Sequence, residues 1–318
     1  MTGTLFETIA CPLCGHDAFE IVKSSGYSGE VSAESLRKAY SASSNHQLLG
    51  QVVRCRSCAL HYVNPRPAGE LIVESYASGE DPVFVSHNDE RIHSFRKVLR
   101  RVLTMRGLKD GKGLRLLDIG CAGGACLAAA KSLGFDPVGV EPNRWMADFG
   151  RRKYGVEIRE GVLERGMFSA EGFDVITLWD VLEHIPRPRP LLQLVCELLR
   201  PNGVFIVSYP DFASVMGRIL GDRWPFWLTV HLLYYDRRTI ALQLETCGFR
   251  VQSSFSYWPT LALGYLADRA TDYFPFLKPL RGVLRVTRLE MLPLTYNMGQ
   301  RVVVADKRVN DGSDVRSH

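Results

Sequence analysis

The chain has 318 residues, 46% of them apolar, which is enough to bury an α/β core and still carry a small second module. Its formal charge of +5 comes from 39 basic and 34 acidic residues spread along the chain. Without the long Lys/Arg runs of nucleic-acid arms, it does not read as a nucleic-acid binder. No run of about 18 apolar residues is free of charge, and the N-terminus MTGTLFETIACPLC lacks a basic stretch followed by an apolar core. Neither a transmembrane segment nor a secretory leader is expected, so the protein reads as cytoplasmic and any membrane contact as peripheral.

The first elements form a short β-like module. CPLCGH and CRSCALHY place two C-x-x-C pairs, Cys11 with Cys14 and Cys55 with Cys58, beside the strand-like stretches Phe19 to Val22 and Gln51 to Arg54. Ser24 to Asn45 is Ser-rich and reads as a loop, and the prolines of Asn64-Pro65-Arg66-Pro67 set a boundary near residue 67. Residues 68–111 then show helical spacing (Leu71, Ile72, Tyr76; Ile92, Phe95, Val98, Leu99, Val102), predicting one short and one longer covering helix.

From 112 to 307 strand and helix signals alternate. Strands are expected at Leu114–Gly120, Pro137–Glu141, Val156–Arg159, Phe173–Trp179 and Gly203–Tyr209, with helices at Ala125–Leu133, Trp145–Tyr154 and Pro190–Leu199. Continuous apolar strands separated by helices predict a Rossmann-like, doubly wound, mostly parallel sheet in an α/β fold. A helix at Arg238–Cys247 and two strands at Phe249–Tyr257 and Gln300–Asp306 follow. If those two strands pair, residues 258–298 are an insertion; residues 308–318 are polar and expected to be disordered.

The first of these strands runs straight into Asp118-Ile119-Gly120-Cys121-Ala122-Gly123-Gly124, where glycines let a ligand approach the backbone, and a helix begins near Ala125. Glu141 ends the next strand about 20 residues later, where an acid accepts hydrogen bonds from ribose hydroxyls. Dinucleotide enzymes use the same layout, but the register from Gly120 puts Ala122 and Ala125 where G-x-G-x-x-G needs glycine. The adenosine site is therefore not expected to serve a nicotinamide.

LLDIGCAGG, VGVEPN, the GVLE segment at 161–164, FDVITLWDVLEHIPRP and LRPNGVFIVSYP occur in the order of the class I S-adenosylmethionine-dependent methyltransferases, which the chain resembles over roughly 100 residues. Ala122 departs from that family's middle glycine. The resemblance implies S-adenosyl-L-methionine as cofactor. Asp118, Gly120, Cys121, Ala122, Gly123 and Gly124 would face its amino-acid part, Glu141 its ribose and Val162 with Leu163 its adenine, with Trp179 at the end of the fourth strand.

Asp180 and His184 lie at that same strand end, and His231 follows an aromatic segment. His184 is a candidate base because an imidazole titrates near working pH, with packing as the competing reading; Asp180 could orient a ligand. Trp224, Trp227, Tyr234 and Tyr235 could line an acceptor pocket or simply fill a core.

Four thiolates on two C-x-x-C knuckles suit a tetrahedral zinc, and a closed tetrathiolate leaves no open position for chemistry. A structural zinc in a zinc-ribbon-like module over 1–67 is expected. Zinc ribbon, methyltransferase core and aromatic segment together resemble bacterial enzymes that methylate sugars, glycans or secondary metabolites. The expected activity is methyl transfer to a small-molecule or glycan acceptor. The alternatives are an RNA or protein methyltransferase docking through the zinc module, and a cofactor-binding partner subunit without its own chemistry. The oligomeric state is not legible.

Overall fold

The computed structural model describes residues 5–27, 31–41, 46–76, 79–273, 276 and 278–308. In chain order the first part contains β1 (Phe6–Glu7), β2 (Phe19–Lys23), α1 (Ala33–Ala39), β3 (Val52–Cys55), β4 (His61–Val63), β5 (Arg66–Pro67), α2 (Gly69–Tyr76), α3 (Pro82–Ser86) and α4 (Asn88–Met105). The central part contains β6 (Arg115–Ile119), α5 (Ala125–Ser132), β7 (Asp136–Glu141), α6 (Arg144–Tyr154), β8 (Glu157–Glu160), β9 (Phe173–Leu178), α7 (Pro188–Leu198) and β10 (Leu199–Pro210). The last part contains α8 (Val215–Leu220), β11 (Leu233–Tyr234), α9 (Arg237–Glu245), β12 (Phe249–Ser256), β13 (Thr260–Ala262), α10 (Leu263–Tyr273), α11 (Lys278–Val286), β14 (Pro293–Thr295) and β15 (Gln300–Lys307).

Seven strands form the main sheet in the order β12-β15-β10-β9-β6-β7-β8, and only β15 runs against its neighbours. The α/β architecture is thus a mostly parallel, doubly wound sheet. The alternation of each strand explains its two covered faces. Leu117, Ile119, Ile176, Leu178 and Phe205 enter one core with α7, whereas Leu116, Val175, Val204 and Ile206 enter the other with α4 and α5. The chain leaves β6 toward β7 and β8 and then returns to β9 on the other side of β6. Such a reversal opens a crevice at the carboxyl ends of β6 and β9.

A second sheet, β11-β4-β3-β2, carries the four cysteines of the small N-terminal module. Its outer strand β11 comes from residues 233–234, far along the chain.

Two expectations need correction. The Ser-rich stretch contains helix α1: Ser32 Oγ accepts the Ser35 N–H and Ser35 Oγ accepts the Ser32 N–H, a reciprocal cap, and Leu36 and Ala39 are buried. Serine there signals a helix start rather than a loop. The region after residue 68 holds three helices, because Asp81 accepts the Phe84 N–H at 2.8 Å and, with Pro82 behind it, starts the extra helix α3. β12 and β15 do pair, and the segment between them is closed by the β13–β14 hairpin around α10 and α11. The polar tail from 309 on lies outside the described residues.

Candidate active site

The turn after β6 requires left-handed backbone: φ is +67° at Gly120, +45° at Ala122 and +77° at Gly124, which opens α5. Space is as tight as conformation. A Cβ on Gly123 would lie 2.8 Å from Val85 Cγ1 and 3.0 Å from Asn88 Nδ2. Ala122, the departure from the glycine pattern, keeps the glycine-like conformation at some cost in strain, and its N–H donates to Glu141 Oε2 at 2.8 Å. Glu141 Oε1 accepts the Asn143 N–H at 2.8 Å. The Glu141 carboxyl is buried at the end of β7; burial pushes it up to about 7 while the two N–H groups pull the other way.

Asp118 is buried within β6, where its Oδ1 accepts Thr177 Oγ1 at 2.6 Å and burial raises its carboxyl to about 7. Cys121 is buried in the α4–α5 core. Trp179 joins that core too: its Nε1 donates to Cys126 Sγ at 3.1 Å and its ring lies 4.8 Å from Phe95. Beyond β8, Val162 stands exposed whereas Leu163 turns inward to the opposite core.

Asp180 follows β9 with φ +51°, a strained conformation for aspartate that is held from two sides. Its Oδ1 accepts Ser208 Oγ at 2.7 Å and its Oδ2 accepts Gln300 Nε2 at 2.8 Å. The short helical turn Leu182–His184 then brings His184 to His231, with ring centroids 4.8 Å apart. Each histidine donates its Nδ1–H to a carbonyl, Val230 O at 2.9 Å and Phe226 O at 2.8 Å. Burial lowers His184 to about 4 and His231 well below its ordinary value, so both imidazoles are neutral near pH 7. Both carboxylate oxygens of Glu183 are buried without a hydrogen-bond partner among the described residues. Burial, and then the Asp180 charge, push that carboxyl well up. Glu183, His184 and His231 each offer a ligand atom within 4.8 Å of the others, a cluster able to share a proton or hold a cation.

The aromatic segment is committed elsewhere. Trp224 Nε1 donates to Met298 O at 2.7 Å, Trp227 Nε1 to Gly221 O at 2.9 Å and Tyr234 OH to Leu228 O at 3.1 Å, while Trp224, Tyr234 and Tyr235 are about 1% exposed. These rings buttress the His231 loop from behind.

At the N-terminal module Cys11 Sγ lies 3.5 Å from Cys58 Sγ and Cys14 Sγ 3.5 Å from Cys55 Sγ, with all four sulfurs within 4.8 Å of one another. Tetrahedral ligands at a Zn–S distance of about 2.3 Å stand about 3.8 Å apart, so the donor set fits. Without a cation, burial pushes the Cys58 thiol up to about 11; a bound divalent ion reverses that preference.

A family model described as "Methyltransferase domain" matches residues 89–254, more than half of the chain. The chain belongs to this methyltransferase family. It is 37% identical over 128 residues to a ubiquinone biosynthesis O-methyltransferase of Azorhizobium caulinodans, spanning 38% of this chain and 51% of that protein. It is 33% identical over 150 residues to one of Maricaulis maris, spanning 44% and 59%. The chain thus covers between half and three fifths of these curated relatives. An S-adenosylmethionine dependent methyltransferase structure from Mesorhizobium loti aligns with 17% identity and a TM-score of 0.43, covering 64% of this chain and 96% of that one.

In this methyltransferase one further residue converges on the crevice. Asn88 Nδ2 donates to Gly123 O at 3.3 Å, and one helical turn on, Arg91 projects from the same side of α4. Its guanidinium sits 3.4 Å above the Phe84 ring and donates to Phe84 O at 3.2 Å. Burial lowers its pKa, while the phenols of Tyr265, Tyr257 and Tyr296 and the Asp180 carboxyl pull the other way. Helical periodicity marks Arg91 only as a polar position. The usable signal was its i, i+3 relation to an asparagine aimed at the glycine turn.

Proposed function

We propose that the protein transfers the methyl group of S-adenosyl-L-methionine to a small-molecule, sugar or glycan-type acceptor at the carboxyl ends of β6, β7 and β9. Glu141 carries this reading. Each of its oxygens accepts one backbone N–H and retains capacity for a hydroxyl donor, at the strand end beside a turn where side chains are excluded.

When bound, the donor's sulfonium supplies the electrophilic methyl carbon. Glu141 holds the ribose hydroxyls, the backbone from Gly120 to Gly124 admits the amino-acid part, and Val162 offers apolar surface to the adenine. Arg91 presents its guanidinium to the donor's carboxylate. Asp118 acts from within β6 by fixing the start of the turn, and Trp179 and Cys121 act by packing beneath it.

In-line displacement needs the nucleophile held close to the methyl group, and positioning supplies most of the acceleration. Asp180, braced by Ser208 and Gln300, orients the acceptor. The neutral His184 and His231 pair takes up a proton where the acceptor loses one, His184 being the nearer to the strand end and, at a pKa of about 4, a weak base. Cys11, Cys14, Cys55 and Cys58 hold a structural zinc that supports the sheet shared with the His231 loop.

The test is incubation of the full chain with methyl-labelled S-adenosylmethionine and fractionated cell extract. Label in a small-molecule or glycan fraction is expected. Label confined to RNA or protein would overturn the acceptor class, and no binding of the donor would overturn the reaction.

A further inference from the structure

Methyl transfer makes no use of the outer surface of the segment between β12 and β15. Helix α11 packs Leu284 inward, while Val283 and Val286 are 56% and 86% exposed. The chain that follows extends this apolar surface through Met291 (74%), Leu292 (51%) and Leu294 (46%). Lys278, Arg281 and Arg285 recur at helical spacing beside the valines, and Arg288 follows the helix; Glu290 is the only acid from 278 to 295. Arg281 is paired with Asp268 at 2.7 Å, whereas Lys278, Arg285 and Arg288 make no ion pair among the described residues. Arg285 and Met291 also line a cavity of about 240 Å³ that reaches His87, next to the residue clamping the glycine turn.

Exposed apolar side chains bordered by cations suit the boundary between anionic headgroups and acyl chains, where the valines and Met291 leave water and the basic side chains meet phosphate. A second copy of the chain fits poorly, since a two-fold pairing of this face would set its basic border against itself. No helix among the described residues is long and apolar enough to cross a membrane, so contact through this face is peripheral. We propose that the surface formed by α11 and residues 288–294 docks the protein on an anionic lipid bilayer. This docking does not depend on the identity of the methyl acceptor.

The experiment is co-sedimentation of the full chain with vesicles of phosphatidylcholine alone and of phosphatidylcholine mixed with phosphatidylglycerol. Binding to the anionic vesicles is expected to exceed binding to neutral ones by about tenfold or more and to be released by high salt. Arg285→Glu with Arg288→Glu should weaken it by at least about tenfold, and Val286→Asp with Met291→Asp should abolish what remains. Circular dichroism and S-adenosylmethionine binding of both variants should match wild type, which separates lost docking from lost folding. Equal binding to the two vesicle types, binding retained in both variants, or a wild-type dimer that Val286→Asp with Met291→Asp dissociates would each overturn the proposal.

Discussion

The seven-stranded sheet and the four-stranded sheet of the cysteine module are held by different forces. In the larger sheet Phe173, Ile176, Phe205 and Phe249 are fully buried, each contributing roughly 1.5–3 kcal/mol by leaving water. In the smaller sheet four thiols meet in one place, an arrangement that becomes favourable when a cation takes their charge. Yet the two regions are not separate. Leu13, Leu60 and Tyr62 of the module belong to the same core as Phe173 and Phe249, Arg66 donates to Pro186 O at 2.7 Å, and β4 pairs with β11 just past His231. A metal-held element therefore supports the acceptor side of the site, while apolar burial supports the donor side.

The largest way to break this comparison is removal of the metal. Chelation or Cys55→Ser should cost several kcal/mol, on the order of 10 for loss of the full site. It should abolish acceptor turnover while S-adenosylmethionine binding declines less. One zinc per chain by elemental analysis is expected; a metal-free protein with unchanged melting and turnover would remove the module from the account.

On the donor side, Arg91→Met should weaken S-adenosylmethionine binding on the order of tenfold or more, the worth of a charge-assisted hydrogen bond. Binding of 5′-methylthioadenosine, which lacks the carboxylate, should stay unchanged. Equal losses for both ligands would show that Arg91 serves only the packing of α4.

Titration sets the two sides against each other. His184, lowered to about 4 from 6.5, contributes stability that is complete above about 6.5 and is lost as pH falls toward 4. Asp118 and Glu141, raised to about 7, contribute stability that is complete below about 4 and is lost as pH rises through 7. The melting temperature of the ligand-free protein should therefore peak near pH 5–6. His184→Gln should flatten the acid limb and Asp118→Asn the alkaline one; limbs that both variants leave unaltered would contradict the assignment.

The smallest effect is expected at Ala122. Its φ of +45° is one that glycine adopts without strain, so Ala122→Gly should raise the melting temperature by about 1–3 °C. A fall would mean that the methyl group packs usefully.

What the sequence made legible follows from range. The β6 turn, Glu141 and the cysteine knuckles are each encoded within a few residues, by glycines, an acid at a strand end or a C-x-x-C spacing. The alternating apolar strands likewise announced a parallel sheet. Serine chemistry at Ser32 was local too, but its composition resembled a loop. The rest depends on chain segments meeting from afar: β11 completing the cysteine sheet, Gln300 bracing Asp180, His231 reaching His184, and Arg91 entering the crevice. No periodicity records such encounters. The aromatic segment misleads for the same reason, since whether a tryptophan lines a pocket or backs a loop depends on where its N–H ends.

The central claim is that the turn after β6 and Glu141 form the site of the methyl donor. Calorimetric titration of the full chain with S-adenosylmethionine, beside Glu141→Ala, tests it most directly. One site per chain is predicted in wild type, with a loss of roughly tenfold to a hundredfold in the variant, the cost of two hydroxyl hydrogen bonds to a charged acceptor. No binding by the wild type, or equal binding by a folded Glu141→Ala protein, would contradict the account.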